Sequence, residues 1–246
     1  MDLSTGEIFA LMGGGIFAGI VNTIAGGGSL LTVPMLVMIG LPGTVANGTN
    51  RVAVLAQSLM ATWRFGAEGV PGVRAALPVA APLLIGATVG AVGVSTLSSE
   101  AFEKLFGVFM VLFLLAAIFG PALSHEQRKL DPRYAWISFL LIGLYGGSVQ
   151  AGVGVLLVFA LSRAGHDLVL SNSIKVVVIA LFTTAAVAVF IYQGQVLWLP
   201  AILLSASMSL GAAIGARLAV RGGERILRPA LFAAVLVLAG RMLDLY

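Results

Sequence analysis

Apolar sequence in this chain is broken twice in the same manner, and few folds tolerate such breaks. Residues 22–51 read NTIAGGGSLLTVPMLVMIGLPGTVANGTNR: a glycine interruption, a short apolar segment, then a polar Asn-Gly-Thr-Asn-Arg cluster. Residues 150–176 repeat that order in weaker form, as QAGVGVLLVFALSRAGHDLVLSNSIKV. Aligned by residue type, Asn22 pairs with Gln150, Gly26 with Gly152, Gly28 with Gly154, Leu30 with Leu156, Asn47 with Asn172 and Asn50 with Lys175. Within hydrocarbon, irregular backbone survives only where protein surrounds it or where it lines a cavity. Two matching interruptions in an oily chain therefore point to a transporter binding site.

The surroundings of those breaks are apolar throughout. Hydrophobic residues make up 59% of the chain and charged residues 10%, against about 25% charged in soluble domains, and the mean hydropathy is +1.06. This is the composition of an all-α integral membrane protein. The 246 residues hold roughly eight to ten spans of about 20 residues, so residues 1–246 form a single transmembrane domain. The absence of Cys rules out disulfides, thiolate metal sites and cysteine nucleophiles. The two His, at 125 and 166, lie near segment ends, so neither a metal site nor a cofactor is expected. The net charge of +4 reads as a topology signal rather than a nucleic-acid footprint, because the basic residues gather at span ends. Asp2 and Glu7 precede the first apolar run with no Lys or Arg, unlike a cleavable signal peptide. The first segment is expected to remain in the mature protein.

Ten segments are expected. Segment 1 (residues 7–25) carries Gly13, Gly14, Gly15 and Gly19, small residues that admit close helix packing. Segment 2 (30–39) is too short for a full crossing. The two form a hairpin whose tip, at Gly26 to Gly28, lies inside the protein. Segment 3 (45–65) opens with the Asn47 to Arg51 cluster and closes on Trp63 and Arg64. Segment 4 (74–97) contains Pro78, Pro82 and the spacing Gly86, Gly90, Gly93; segment 5 (100–119) follows Ser98 or Ser99 as N-cap. The polar link PALSHEQRKLDPR then divides the chain into repeat one (1–120), a linker (121–133) and repeat two (134–246). Segments 6 (134–151) and 7 (155–163) form a second broken-helix hairpin, followed by segments 8 (168–192), 9 (197–220) and 10 (226–245). A constant offset pairs Phe65 with Phe190, Gly69 with Gly194, Gly86 with Gly211 and Gly90 with Gly215.

Charge placement sets the relative direction of the halves. Arg64 and Arg74 flank the link after segment 3, whereas the link after segment 8 is uncharged; Glu100, Glu103 and one Lys104 follow segment 4, whereas Arg217, Arg221, Arg225 and Arg228 belong to the link after segment 9. Under the positive-inside rule the bias flips, giving two inverted-topology repeats of about five segments each, with the N-terminus outside. Counting each hairpin as one span gives parallel halves and strands the four-Arg cluster outside; this ranks second.

The residues able to carry chemistry sit at the breaks and at the starts of segments 3 and 8. Asn47, Thr49, Asn50 and Arg51 match Asn172, Ser173 and Lys175, and two helix starts from opposed halves can converge on an anion. Against this, Asn47 and Asn172 can serve as N-caps while Arg51 and Lys175 snorkel to an interface. Lys175 is the stronger site candidate, since VVVIALF follows it. Gly26, Gly27, Gly28 and Ser29, with Gly152 and Gly154, can expose backbone N–H groups to a ligand or simply allow close packing. The amides of Asn22 and Gln150 can donate to an anion or satisfy the broken backbone. His166, Asp167 and Glu68 read as solvated surface.

At these motifs the chain resembles the TauE/SafE family of sulfite and organosulfonate exporters, also called TSUP permeases. The residues carrying the likeness are AGGGSLLTVPML (Ala25 to Leu36), Gly40 to Pro42 and Ala46 to Asn50, then AGVGVLLVFAL and SNSIK in the second half. The second half places Val153 between Gly152 and Gly154, a departure from the glycine triplet of the first. The resemblance implies a multi-pass carrier in the cytoplasmic (inner) membrane, exporting small sulfur-containing anions such as sulfite or organosulfonates by alternating access around a midplane site. It implies lipid and a small anion as partners, no nucleic acid, and leaves a homodimer open. An anion-selective channel using the same basic site is the alternative. No His, Cys or carboxylate constellation with catalytic spacing speaks for an enzyme.

Overall fold

The computed structural model describes residues 3–119 and 132–221. Among the described residues the chain forms nine α-helices: α1 (Thr5–Ile24), α2 (Ser29–Met38), α3 (Gly43–Ala67), α4 (Val73–Ser95), α5 (Ser99–Phe119), α6 (Pro132–Ser148), α7 (Val153–Arg163), α8 (Leu168–Tyr192) and α9 (Trp198–Val220). Each matches one expected segment in order. Arg225, segment 10 with Arg228 and Arg241, and most of the central link, including His125, Arg128 and Lys129, lie outside the described residues. Ser98 caps α5, accepting from the Ala101 amide at 3.2 Å.

Length explains the hairpins. At 1.5 Å per residue, the 10 residues of α2 and the 11 of α7 each rise about 16 Å, half of a hydrocarbon core about 30 Å thick. Helices α1, α4, α8 and α9 are each long and apolar enough to cross a membrane. Helix α3, at 25 residues, is also long enough, but its buried face carries Asn47, Thr49, Asn50, Arg51 and Gln57. The outer faces invert the pattern of a soluble protein: Leu77, Ile85, Val89, Leu141, Ile202 and Leu210 are exposed, while Arg51 and Lys175 are fully buried. Apolar outside and polar inside is the distribution that lipid selects.

Glycines set the packing. Helix α4 packs on α6 and α1 packs on α9. On the first seam, Gly86 and Gly90 abut the backbone of Leu140 and Leu144, while Gly143 and Gly147 abut Leu83 and Ala87. On the second, Gly211 and Gly215 abut Ile16 and Ile20, and Gly19 abuts Met208. A Cβ at most of these positions would overlap a carbonyl of the facing helix, so small residues let the axes approach. Gly13 and Gly93 have nothing within 4 Å of where a Cβ would stand. Those two expected packing glycines lie off the seams, because they occupy the outward faces of α1 and α4.

Helices α3 and α8 pack on each other inside this frame. Their ends cross over. Ser173 Oγ, near the start of α8, donates to the Val70 carbonyl in the link after α3 at 2.5 Å. The Leu197 amide, in the link after α8, donates to Thr49 Oγ1 near the start of α3 at 2.9 Å. Gly72 lies against the backbone of Ser173 and Ile174, and Gly48 against Gln195. Helices α3 and α8 therefore run antiparallel.

Candidate functional site

The helices α1 and α6 end in the same hydrogen-bond pattern. At the end of α1 the amides of Ala25 and Gly26 both donate to the Val21 carbonyl, at 2.7 and 3.2 Å; at the end of α6 the amides of Val149 and Gln150 both donate to Tyr145, at 2.9 and 3.3 Å. Gly26 has φ +85° and Gln150 φ +63°. Position by position the breaks thus match Gly26 with Gln150, and Asn22 with Gly146. The expected pairing of Asn22 with Gln150 is displaced: residue-type matching aligned one amide with another, whereas the hydrogen-bond pattern aligns Gly26 with Gln150, and the second break carries a further left-handed residue, Gly152 at φ +71°, where the first has Gly28 at φ −58°. Gly28 and Gly152 then stand immediately before α2 and α7. The tips touch. A Cβ on Gly26 would overlap the backbone of Gly154, and one on Gly154 would overlap Gly26.

Each break is capped by a cation from the other half. Lys175 Nζ donates to the Asn22 carbonyl at 3.0 Å, the Thr23 carbonyl at 2.7 Å and Asn172 Oδ1 at 2.6 Å. Arg51 donates to the carbonyls of Gly146, Gly147 and Ser148 at 2.5, 2.7 and 2.9 Å. The last carbonyls of a helix lack intrahelical donors and carry partial negative charge, so a cation is the matching cap. Arg51 also lies 5.5 Å over the ring of Phe190. Both cations are 0% exposed. Snorkelling to an interface is therefore excluded for both, and Arg51 is as deeply placed as Lys175.

The amides around the first break form a closed network. Asn22 donates to Gln57 at 2.6 Å and accepts from the Gly28 amide at 3.1 Å. Gln57 donates to Thr23 at 3.1 Å. Asn50 accepts from Thr32 at 2.6 Å and donates to Ser29 at 3.2 Å. Around the second break the bonding is incomplete. Asn47 Nδ2 donates to the Ser148 carbonyl at 3.1 Å and Gln150 Nε2 to Thr183 at 3.2 Å, but Asn47 Oδ1, Gln150 Oε1 and Arg51 Nε are buried without a partner. The Tyr145 hydroxyl donates to the Ala151 carbonyl across the same break.

The fold thus gathers Asn22, Gly26, Gly27, Gly28, Ser29, Asn47, Asn50, Arg51, Gln150, Gly152, Gly154, Asn172 and Lys175 at or around the two tips. Thr49 and Ser173 instead tie α3 and α8 to the links described above. The N-caps of α3 and α8 are Pro42 and Asp167, so Asn47 and Asn172 lie in the second turn and cap neither helix. Asp167 accepts from the amides of Val169 and Leu170 at 3.0 and 2.9 Å. The helix starts at the two tips belong to α2 and α7 rather than to α3 and α8, the expected suppliers. Gln57, Thr32 and Thr183 were missed by sequence reasoning. The available signal was spacing: Gln57 lies two turns beyond Asn50 on the same face of α3. Glu68 stays peripheral, pairing with Arg64 at 2.8 Å and Arg217 at 3.6 Å.

With this geometry in place, comparison with known proteins is informative. The family model described as "Sulfite exporter TauE/SafE" matches residues 11–242. A "Probable membrane transporter protein" of Haemophilus influenzae is 27% identical over 233 residues, covering 93% of this chain and 91% of the relative. A second from Sinorhizobium, "ORF9", is 26% identical over 246 residues, covering 98% and 94%. The Escherichia coli K12 "Probable membrane transporter protein YfcA" is 25% identical over 232 residues, covering 93% and 86%. No solved structure gives a significant match. The family model spans nearly the whole chain, both breaks included, and the chain belongs to the TauE/SafE family.

Proposed function

We propose that this membrane transporter is a secondary carrier that exports small sulfur-containing anions such as sulfite or organosulfonates. The supporting observation is the charge of the interior: among the described residues Arg51 and Lys175 are buried and no Asp or Glu is. The ends of α1 and α6 carry about −0.5 charge each and the starts of α2 and α7 about +0.5 each. These partial charges offset one another and leave the two full positive charges. Such an interior repels cations and favours a small anion. The first turns of α2 and α7, at Ser29 and Gly154, add backbone donors of the kind that hold oxyanions. Lys175 acts on the ligand through its field, because its ammonium already holds the Asn22 and Thr23 carbonyls and Asn172, whereas Arg51 holds carbonyls through its two terminal nitrogens and keeps Nε–H spare. The sulfur chemistry is supported by the family description.

Alternating access between two inverted repeats is the mechanism this reading uses. The antiparallel run of α3 and α8, and the exchange that places α1 on α9 and α6 on α4, support it. Rocking of one repeat against the other would open the meeting point of Gly26 and Gly154 to each side of the inner membrane in turn, with the N-terminus outside. The test is counterflow in proteoliposomes preloaded with sulfite. Saturable uptake of labelled sulfite, accelerated by sulfite on the far side, is the expected result. Non-saturating conductance without counterflow would replace the carrier with an anion channel.

A further inference from the structure

Among the described residues Gln150 is the one non-glycine with positive φ, at 63°. Its counterpart at the other break is Gly26, which needs no side chain and has no room for one. A residue type that resists this conformation, held where glycine serves in the matching place, is a common mark of a functional side chain. The second mark is independent. Gln150 is 2% exposed and Asn47 0%, and each keeps a polar atom without a partner. The Asn47 amide cannot be turned to remove the deficit, because only its NH2 can donate to the Ser148 carbonyl. Gln150 leaves one polar atom spare whichever way its amide faces Thr183. Arg51 Nε, on the same side of the molecule, is a spare donor. At the first break Asn22, Asn50 and Gln57 have both amide atoms engaged.

We propose that the α6–α7 break alone holds the polar end of the transported solute, with Arg51 Nε donating to it, Asn47 Oδ1 accepting from it and Gln150 making a third contact. The ligand is then an oxyanion that also carries an O–H or N–H donor. This rests on the anion-carrier reading and narrows it, from two equivalent breaks to one and from any small oxyanion to those with a proton to give.

The test uses the full chain purified in detergent, titrated calorimetrically with 2-hydroxyethanesulfonate and with ethanesulfonate, which differ by one hydroxyl. The hydroxylated anion is expected to bind about tenfold more tightly. That preference is expected to vanish in Gln150→Gly and in Asn47→Ala. Gln150→Gly should also melt at a higher temperature than the parent, since it removes the backbone strain, so its loss of preference cannot come from misfolding. Equal binding of the two sulfonates by the parent chain, an undiminished preference in Gln150→Gly, or a lower melting temperature for that variant would overturn the assignment. If sulfite binds the parent and both variants equally, the α6–α7 site falls and the anion reading stands. If neither sulfite nor either sulfonate binds the parent, both fall.

Discussion

Removing the Lys175 ammonium leaves the carbonyls of Asn22 and Thr23 and the Asn172 oxygen buried without that donor. Buried acceptors stripped of a charged donor are expensive. Lys175→Met is therefore expected to lower stability by about 3 kcal/mol, read as an early thermal transition in detergent, and transport should fail with it. Arg51→Lys keeps the charge but loses the planar fork that spans Gly146, Gly147 and Ser148. A loss of about 2 kcal/mol is expected from the unpaired carbonyls, measured the same way. Lys175 was legible in the sequence as an ammonium in an apolar run. Its partners were not, because backbone carbonyls carry no residue-type signal and these lie in the opposite half of the chain. The same reason hid the register of the breaks: a positive φ at Gln150 is a property of conformation, and amide-to-amide matching with Asn22 masked it.

Among the helices the two glycine seams make opposite demands on neighbouring positions. Gly90 sits on the Leu144 carbonyl, and three residues later Gly93 has nothing within 4 Å. Gly90→Leu should force α4 from α6 and abolish the monodisperse peak in size-exclusion chromatography. Gly93→Ala and Gly13→Ala should fold normally and gain up to about 1 kcal/mol from helix propensity, visible as a small upward shift in melting temperature. The existence and order of the nine described helices were legible from apolar run length, and α8 was delimited to the residue, because a bilayer imposes a length that a soluble core does not. Which glycines form seams was not legible. Period alone places Gly86, Gly90 and Gly93 in one cluster, but only the direction of the neighbouring helix decides which of them meets it.

At the level of the whole molecule, the antiparallel run of α3 and α8 and the proposed inversion of the repeats make a prediction about sidedness. The end of α3 and the end of α8 should lie on opposite faces of the membrane. The chain has no native Cys, so Ala67→Cys and Tyr192→Cys can be labelled one at a time with an impermeant maleimide. Ala67→Cys is expected to react only from the cytoplasmic side and Tyr192→Cys only from outside. Labelling of both from one side would rule out inversion. The pairing of Glu68 with both Arg64 and Arg217 brings the ends of α3 and α9 together.

The reciprocal caps have a consequence for biosynthesis. Arg51 finishes a helix that the ribosome has not yet made when α3 enters the bilayer, and the raw end of α1 waits for Lys175 until α8 has been inserted. Neither half is a self-sufficient product. Residues 1–120 or 134–246 produced alone should be degraded, and the two fragments produced together in one cell should rescue each other.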